Sequence, residues 1–283
     1  MEKTRSPKPA QPVQLKIPMR VSVFTPTFNS GNKILRPLVS LMHQSHQNFE
    51  WLVLDDSPDY SVFNQLRILA DIEPRLRLIC NGKHSGVIGA MKRQLCQLAT
   101  GEILVELDHD DELTWDCLAK LVATFEDPKV NFVYSDWCTM RTDGSCVLYG
   151  KQSGWAWGQG REVQATLPDG REVNQQGINN YFGPECVKTI VGIPNHVRAW
   201  RRDFYAKIGG HNKMLMVADD YELFLKTLIA DRDGIRRLPE CLYVYHYDDA
   251  NASLNPQRNQ VIQNTAAAVW AQMKSRVEAV FKK

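Results

Sequence analysis

The sequence has 283 residues and a net charge of +2 at pH 7, with 34 Lys and Arg residues against 32 Asp and Glu residues. This near balance argues against a dedicated nucleic-acid-binding protein. No apolar run approaches the roughly 18–20 residues of a membrane span, and the N-terminus lacks the apolar core of a signal peptide. The seven cysteines are scattered without a CxxC pair, which argues against a zinc knuckle or a disulfide framework and favours a reducing, cytoplasmic location.

Residues 1–18 form the first distinct segment. They contain Pro7, Pro9, Pro12 and Pro18 among basic side chains, and few apolar ones. A segment that cannot bury apolar surface stays unfolded, so we predict a disordered basic tail. We favour a solvated leader over an arm that binds an anionic surface.

Strand-like and helix-like segments alternate through the first half of the chain. The strand-like segments are 20–28, 49–56, 75–80, 102–107 and 130–135, and the helix-like segments are 33–45, 61–72, 87–99 and 115–126. This alternation predicts an α/β protein with a mostly parallel central sheet flanked by helices. Ligands bind beyond the carboxyl ends of such strands, where Asp55, Asp56 and the acidic residues 108–111 fall.

Residues 141–180 interrupt this pattern. The tetrapeptide GREV occurs at 160–163 and again at 170–173, with turn-forming residues between the two copies. A repeat that occurs only twice favours the two arms of an antiparallel hairpin insertion over a solenoid. Trp155 and Trp157 lie in this insertion, where they either stack on an acceptor sugar or pack the insertion onto the core.

Three further elements follow the insertion. Residues 219–230 read as a helix that starts with two acids, and 241–247 as another strand. Residues 251–283 end in an amphipathic basic helix, which we expect to pack on the domain, with peripheral membrane contact as the alternative.

The sequence ELDHDDEL follows the fourth strand-like segment. Carboxylates at the alternate positions Asp108 and Asp110 can converge on one hard cation. A calcium hand that began at Asp108 would need Gly and Glu where this chain has Leu113 and Ala119, so it is excluded. Zinc is disfavoured because His109 is the only softer ligand in the segment, which leaves Mg²⁺ or Mn²⁺.

Several segments in the same order resemble the family 2 glycosyltransferases. The resemblance is carried by VSVFTPTFNSG, FEWLVLDDS, GVIGAMKRQLCQLATGEILVELDHDDEL and IGGHNKMLMVADDYELFLK. It implies a GT-A fold over residues 19–250, with a nucleotide-binding half at 19–115 and an acceptor half at 116–250. It also implies an inverting, metal-dependent enzyme that moves a sugar from a nucleotide-sugar to an acceptor hydroxyl.

The resemblance assigns the nucleotide base to the first two strands. Thr25 and Pro26 would contact the base through the backbone around them, and Asp56 would accept the imide N–H of uracil or thymine. Asp55 is expected to orient the loop. This favours a UDP-sugar, with dTDP and GDP left open.

The resemblance also implies residues for the diphosphate and for the Mn²⁺ or Mg²⁺ ion. Lys92, or Arg93 in the alternative register, would reach the base or the diphosphate. Asp108 would bind the nucleotide and Asp110 the metal. His246 falls where the family places a residue that reaches the diphosphate or the metal, although a structural role is the alternative.

On the acceptor side, the resemblance makes Asp220 the general base, with Asp219 and Trp200 as neighbouring candidates. A base in this position removes the proton from the attacking hydroxyl. Stabilisation of the helix N-terminus is the alternative role for the two acids. The QxxRW motif and the membrane helices of processive synthases are absent, so we expect one sugar transferred per encounter.

Three rival interpretations remain. A phosphatase of the haloacid dehalogenase kind also has a DxD after a strand, but it would need Thr or Val where Glu112 stands. A GT-A module that binds nucleotide-sugar or glycan without catalysis is a second. The third concerns the acceptor, for which we expect a glycan, a lipid-linked saccharide or a protein ahead of a modified nucleic acid.

Overall fold

A computed structural model describes residues 18–82, 84–147, 160–178, 183–247 and 256–282. Trp155, Trp157 and all but the last residue of the predicted basic tail lie outside these residues. The ten strands within the described residues form one sheet, and seven helices of six or more residues lie around it.

The first half of the sheet is parallel. Its strands are β1 (Val21–Thr27), β2 (Phe49–Asp55), β3 (Leu76–Cys80) and β4 (Ile103–Glu106), in the order β3-β2-β1-β4. Every residue of β1, β2 and β4 is buried, as expected for strands with helices on both faces. Each strand matches its predicted segment to within one residue at either end.

Four helices connect these strands and lead out of the parallel half. They are α1 (Leu35–Met42), α2 (Ser61–Ala70), α3 (Ile88–Leu98) and α4 (Cys117–Phe125). Each has an apolar face that is buried against the sheet, as Leu41, Leu66 and Leu95 illustrate. The helices therefore fix the carboxyl ends of β1, β2 and β4 at a common edge.

The second half of the sheet is mixed. Its strands are β5 (Glu112–Leu113), β6 (Phe132–Arg141), β9 (Arg198–Arg201) and β10 (Ile235–Tyr247), and the sheet order continues β4-β9-β6-β10-β5. β9 is antiparallel to both β4 and β6, whereas β6 and β10 are parallel. β9 places Arg198 directly opposite Glu106 at the end of β4.

Two of these strands are longer than predicted. β6 continues to Arg141 rather than ending at residue 135, and β10 begins at Ile235 rather than at residue 241. The start of β10 was not recognised in the sequence because the residues before Cys241 are rich in charge. The pairing of β10 with β6 also shifts register between Leu238 and Cys241.

The two GREV copies lie in a hairpin of β7 (Gly160–Thr166) and β8 (Glu172–Ile178), which pair antiparallel. β8 also pairs with β6. The buried carboxylate of Asp136 accepts hydrogen bonds from Arg237 at 2.6 and 2.8 Å and from Gln175 at 2.8 Å, so it ties β6, β8 and β10 together.

The remaining helices are α5 (Arg202–Lys207), α6 (Asp219–Ala230) and α7 (Pro256–Val280). α7 packs on α6 through a stripe that includes Ala266, Val269, Met273 and Val277. A span of the bilayer would need a longer continuous apolar helix than any found in the described residues.

Candidate active site

The acidic residues singled out in the sequence gather at one edge of the sheet. Asp56 follows β2, Asp108 follows β4, and Asp219 and Asp220 open α6. This edge is where the carboxyl ends of parallel strands present ligand-binding residues. The side chains there fall into three groups.

The first group surrounds Asp56. Its carboxylate is buried and accepts hydrogen bonds from the backbone N–H groups of Ser85 and Gly86 at 2.8 and 3.0 Å. Nδ1 of His84 lies 2.9 Å from the same carboxylate, and the His84 ring lies 4.8 Å from the ring of Phe28. Asp56 thus joins the end of β2 to the loop before α3.

Neighbouring side chains fix the ends of β1 and β2. The hydroxyl of Thr25 donates to the carbonyl of Leu107 at 2.8 Å and accepts from Trp51 at 2.9 Å, inside the core. The hydroxyl of Thr25 is therefore engaged inside the core and is not available to a nucleotide base. Asp55 accepts from the N–H groups of Ser57 and Phe63 and so orients the following loop and α2.

The second group is a buried ionic network. Nζ of Lys92 lies 2.6 Å from Glu106 and 3.2 Å from Asp219. Arg198 donates to Glu106 at 2.9 Å and to Asp220 at 2.6 Å. Glu106 therefore bridges the two cations, and each cation extends to one of the two acids that begin α6.

Burial and pairing shift the pKa values in this network in different directions. Burial raises the pKa of Asp219 to about 6, against the attraction of Lys92. For Glu106, burial is outweighed by Arg198 and Lys92, which lower its pKa. For Asp220, burial is likewise outweighed, chiefly by Arg198, so its pKa is lowered and the carboxylate is kept ionised.

His211 completes the inner side of the network. Nδ1 lies 2.7 Å from the hydroxyl of Tyr205, while Nε2 lies 3.5 Å from Asp219 and 3.9 Å from Glu106. Complete burial lowers the pKa of His211 to about 3, so the ring is neutral at pH 7.

The third group is the acidic segment after β4. Oxygens of Asp108 and Asp111 and a ring nitrogen of His196 all lie within 4.8 Å of one another. Asp111 accepts from the hydroxyl of Tyr243 and from the backbone N–H of His246, both at 2.8 Å. This arrangement offers two carboxylates and one imidazole to a common point.

Asp108, Asp110 and Asp111 form no ion pair with Lys or Arg among the described residues, whereas the following Glu112 pairs with Arg171 at 2.9 Å. Burial and then the neighbouring Asp110 and Asp108 raise the pKa of Asp111 well above its ordinary value. Burial also raises the pKa of Asp108, with Lys92 only partly opposing it. Oxygen donors that repel one another in this way fit a hard divalent cation, which would remove the repulsion.

Two residues singled out in the sequence are placed differently from what was expected, and His246 makes a contact that fits the structural role given as its alternative. Lys92 is buried, and its amine is held by two carboxylates rather than free to reach a base or a diphosphate. Trp200 is fully buried, donates to Thr227 at 3.1 Å and has no surface open to an acceptor. Nε2 of His246 lies 2.6 Å from Glu112.

His196 and His211 were not singled out in the sequence. Both are brought to the site by the segments around β9, which the sequence pattern did not reveal as a strand. Neither histidine has a metal-binding or catalytic spacing to a neighbouring residue, so no local signal marked them. Their roles depend on contacts made across the sheet.

Comparisons with known proteins agree with this fold. A family model described as Glycosyl transferase family 2 matches residues 22–176, more than half of the chain. The chain therefore belongs to glycosyl transferase family 2.

Among curated relatives, the chondroitin synthase of Pasteurella multocida (strain Pm70) is 24% identical over 261 residues, which are 86% of this chain and 24% of that protein. The chain spans less than half the length of most of the curated relatives it matches.

Two solved structures show the likeness of fold. S. aureus TarS 1–349 in complex with UDP-GlcNAc is 18% identical with a TM-score of 0.61, covering 91% of this chain and 72% of that one. The mannosyltransferase PcManGT from Pyrobaculum calidifontis in complex with GDP-Man and Mn²⁺ is 18% identical with a TM-score of 0.58, covering 98% and 77%. The predicted GT-A fold is confirmed.

Proposed function

We propose that this protein transfers a single sugar from a nucleotide-sugar to an acceptor hydroxyl, with inversion at the anomeric carbon. The position of Asp220 carries this proposal. Its side chain is 24% exposed, whereas the other side chains of the ionic network are at most 5% exposed. Asp220 is therefore the member of the network that an acceptor can reach.

The proposed reaction is one displacement. The acceptor oxygen attacks the anomeric carbon, the bond from that carbon to the diphosphate oxygen breaks, and Asp220 takes the hydroxyl proton. Arg198 holds the Asp220 carboxylate at 2.6 Å and keeps it ionised before the attack. Attack opposite the leaving group inverts the configuration of the carbon.

The donor nucleotide is assigned to the edge formed by β1 and β2. Asp56 and the backbone at Thr25 and Pro26 would contact the base, and Asp108 would face the rest of the nucleotide. Asp56 already accepts from the N–H groups of Ser85 and Gly86 and from the Ser85 hydroxyl, so a base N–H would share these acceptor oxygens. The UDP-GlcNAc complex of TarS supports a UDP-sugar as the donor.

The acidic segment would hold a divalent cation, with Asp108 and Asp110 among its ligands. When bound, such a cation neutralises negative charge on the departing nucleoside diphosphate. The raised pKa values of Asp108 and Asp111 support a site that suits a cation. The Mn²⁺ in the PcManGT complex supports Mn²⁺ as the first ion to test, with Mg²⁺ as the second.

We further propose a saccharide acceptor and a cytoplasmic setting. The likeness to a chondroitin synthase supports a saccharide. All seven cysteines are free thiols, which suits a reducing compartment.

A donor screen tests the proposed function. The purified protein is mixed with UDP-, GDP- and dTDP-sugars, and thermal shift and nucleoside diphosphate release are measured with Mn²⁺, with Mg²⁺ and with EDTA. We expect a UDP-sugar to give the largest stabilisation with Mn²⁺, and EDTA to abolish release. Release of phosphate from simple monoesters without any nucleotide-sugar turnover would contradict the proposal.

A further inference from the structure

His196 is a buried histidine that faces the acidic segment. It is 6% exposed, and its ring nitrogen lies within 4.8 Å of an oxygen of Asp108 and an oxygen of Asp111. Within the described part of the chain, no side chain or backbone group forms a hydrogen bond or ion pair with either ring nitrogen. The ring nitrogens are not among the fully enclosed polar atoms without a partner, so they are open to a ligand that enters the site.

The imidazole is held rigidly in this orientation. Its ring stacks on Tyr243 with the centroids 4.1 Å apart and the planes 9° apart, and Tyr245 lies further along the same stack at 5.4 Å. The hydroxyl of Tyr243 in turn donates to Asp111 at 2.8 Å. One tyrosine therefore positions both the imidazole and a carboxylate of the same cluster, as supporting groups do around metal ligands.

We propose that His196 is a further protein ligand of the divalent cation, in addition to Asp108 and Asp110, with Asp108 and Asp111 as the carboxylates nearest to its ring nitrogen. The proposal rests on the metal dependence in the proposed function. The spacing suits it, because two ligand atoms bonded to one ion at about 2.2 Å lie at most about 4.4 Å apart. The ligand atoms of Asp108, Asp111 and His196 lie within 4.8 Å of one another, so only a small inward movement of these side chains is required.

The state of His196 agrees with this role. Burial, followed by the nearby Arg198, lowers the pKa of His196 to about 3, so the ring is neutral and has a lone pair to offer. By contrast, Nε2 of His246 contacts Glu112 at 2.6 Å and lies outside the cluster of ligand atoms that His196 joins.

A nitrogen ligand has a consequence for metal choice. Mg²⁺ prefers oxygen ligands and dehydrates reluctantly, whereas later divalent ions accept imidazole more readily. We therefore expect this chain to bind Mn²⁺ more tightly than Mg²⁺. Loss of the His196 nitrogen should reduce that preference.

Electron paramagnetic resonance of bound Mn²⁺ tests the proposal. The full chain is loaded with less than one equivalent of Mn²⁺, alone and with UDP, and the ¹⁴N hyperfine coupling of a directly bound imidazole is recorded. The main variant is His196→Phe, which keeps an aromatic ring on Tyr243 and removes both nitrogens. His246→Ala tests the rival ligand, and His43→Ala, on the exposed end of α1, is the control.

We expect the ¹⁴N coupling in the unmodified chain, in His246→Ala and in His43→Ala, and its loss in His196→Phe. The dissociation constant for Mn²⁺ should rise about tenfold or more in His196→Phe. Coupling that persists in His196→Phe, or disappears in His246→Ala, would overturn the assignment. Mn²⁺ binding without any ¹⁴N coupling would overturn it and leave metal dependence standing, whereas no Mn²⁺ binding with or without UDP would overturn both.

Discussion

Two groups of carboxylates lie side by side at the site, and they are neutralised in opposite ways. Glu106, Asp219 and Asp220 are paired with cations of the chain itself, Lys92 and Arg198. Asp108, Asp110 and Asp111 have no such pairing among the described residues, and burial raises the pKa values of Asp108 and Asp111. The chain therefore supplies the charge balance around the proposed base, and supplies none at the proposed cation site.

The same difference separates side chains that are held in place from side chains that can bind and release a ligand. A buried pair that loses one partner leaves an uncompensated charge, so the paired group is locked in place. A cluster of repelling carboxylates is stabilised when a cation binds. A cation that binds the folded state and not the unfolded state raises the free energy of unfolding.

The largest expected effect is on catalysis. Asp220→Asn removes the base and should lower the rate of sugar transfer about 10²–10⁴-fold. Donor binding, measured by thermal shift with a UDP-sugar and Mn²⁺, should be retained. Glu222→Gln, two residues along α6 and paired with Lys226, is the matched control. Turnover in Asp220→Asn equal to that of the control would remove Asp220 from this role.

The next effect is on folding stability. Lys92→Met leaves Glu106 and Asp219 with one cation fewer and should lower the free energy of unfolding by about 3–5 kcal/mol. Urea unfolding at pH 7 measures it. Lys120→Met, which breaks surface pairs with Asp116 and Glu240, should cost less than about 1 kcal/mol.

A double variant sharpens the result for Lys92. If the cost comes from uncompensated charge, adding Asp219→Asn to Lys92→Met should recover part of the lost stability. Costs that simply add would show that packing, rather than charge, holds this part of the site together.

A remote paired carboxylate gives a pH dependence. Burial raises the pKa of Glu50, but hydrogen bonds from Ser22, Thr100 and Arg77 outweigh it and lower the pKa to about 2. Because the folded pKa lies below the unfolded value near 4.5, the stabilisation is complete above pH 4.5 and is lost as the pH falls toward 2. This loss amounts to at most about 3 kcal/mol.

Urea unfolding of the unmodified chain and of Glu50→Gln between pH 7 and pH 3 measures this contribution. The difference in unfolding free energy should shrink as the pH falls, since Gln does not titrate. A difference that stays constant with pH would show that Glu50 is not the source of the acid sensitivity.

The smallest effect concerns the unpaired group. Asp110→Asn removes one of three repelling charges and should raise metal-free stability by about 1 kcal/mol. The stabilisation gained on adding Mn²⁺ should decrease in the same variant. Asp203→Asn, whose side chain is 93% exposed, serves as the control. An unchanged response to Mn²⁺ in Asp110→Asn would contradict the assignment of Asp110 to the cation.

The parallel half of the fold was predictable because its signals are local. The apolar strands end in Asp55 and Glu106 within a residue of the predicted limits, and helical periodicity marks the segments between them. Asp219 and Asp220 were also placed correctly at the start of a helix. Strand length, helix periodicity and acids after strands require no knowledge of distant contacts.

β9 and the full length of β6 and β10 were not predictable in this way. β9 is four residues long and two of them are arginine. Only its pairing between β4 and β6 makes it a strand. Arg198 and His196 reach the site through that pairing. Lys92 was expected to contact the donor and Trp200 the acceptor, but burial among distant elements places both side chains inside the protein.

The sequence by itself determined the α/β class, the order of the parallel strands' segments and the acidic positions at their ends, because periodicity and turn chemistry are properties of neighbouring residues. The tertiary structure decided which acids are paired and which are left for a cation. Which acids are paired depends on the positions of Lys92, Arg198 and His196. Their separation in sequence from Asp108 and Asp220 does not predict which of these side chains come into contact. Charge compensation acts over a few ångströms in space, and only the fold brings these groups within that range.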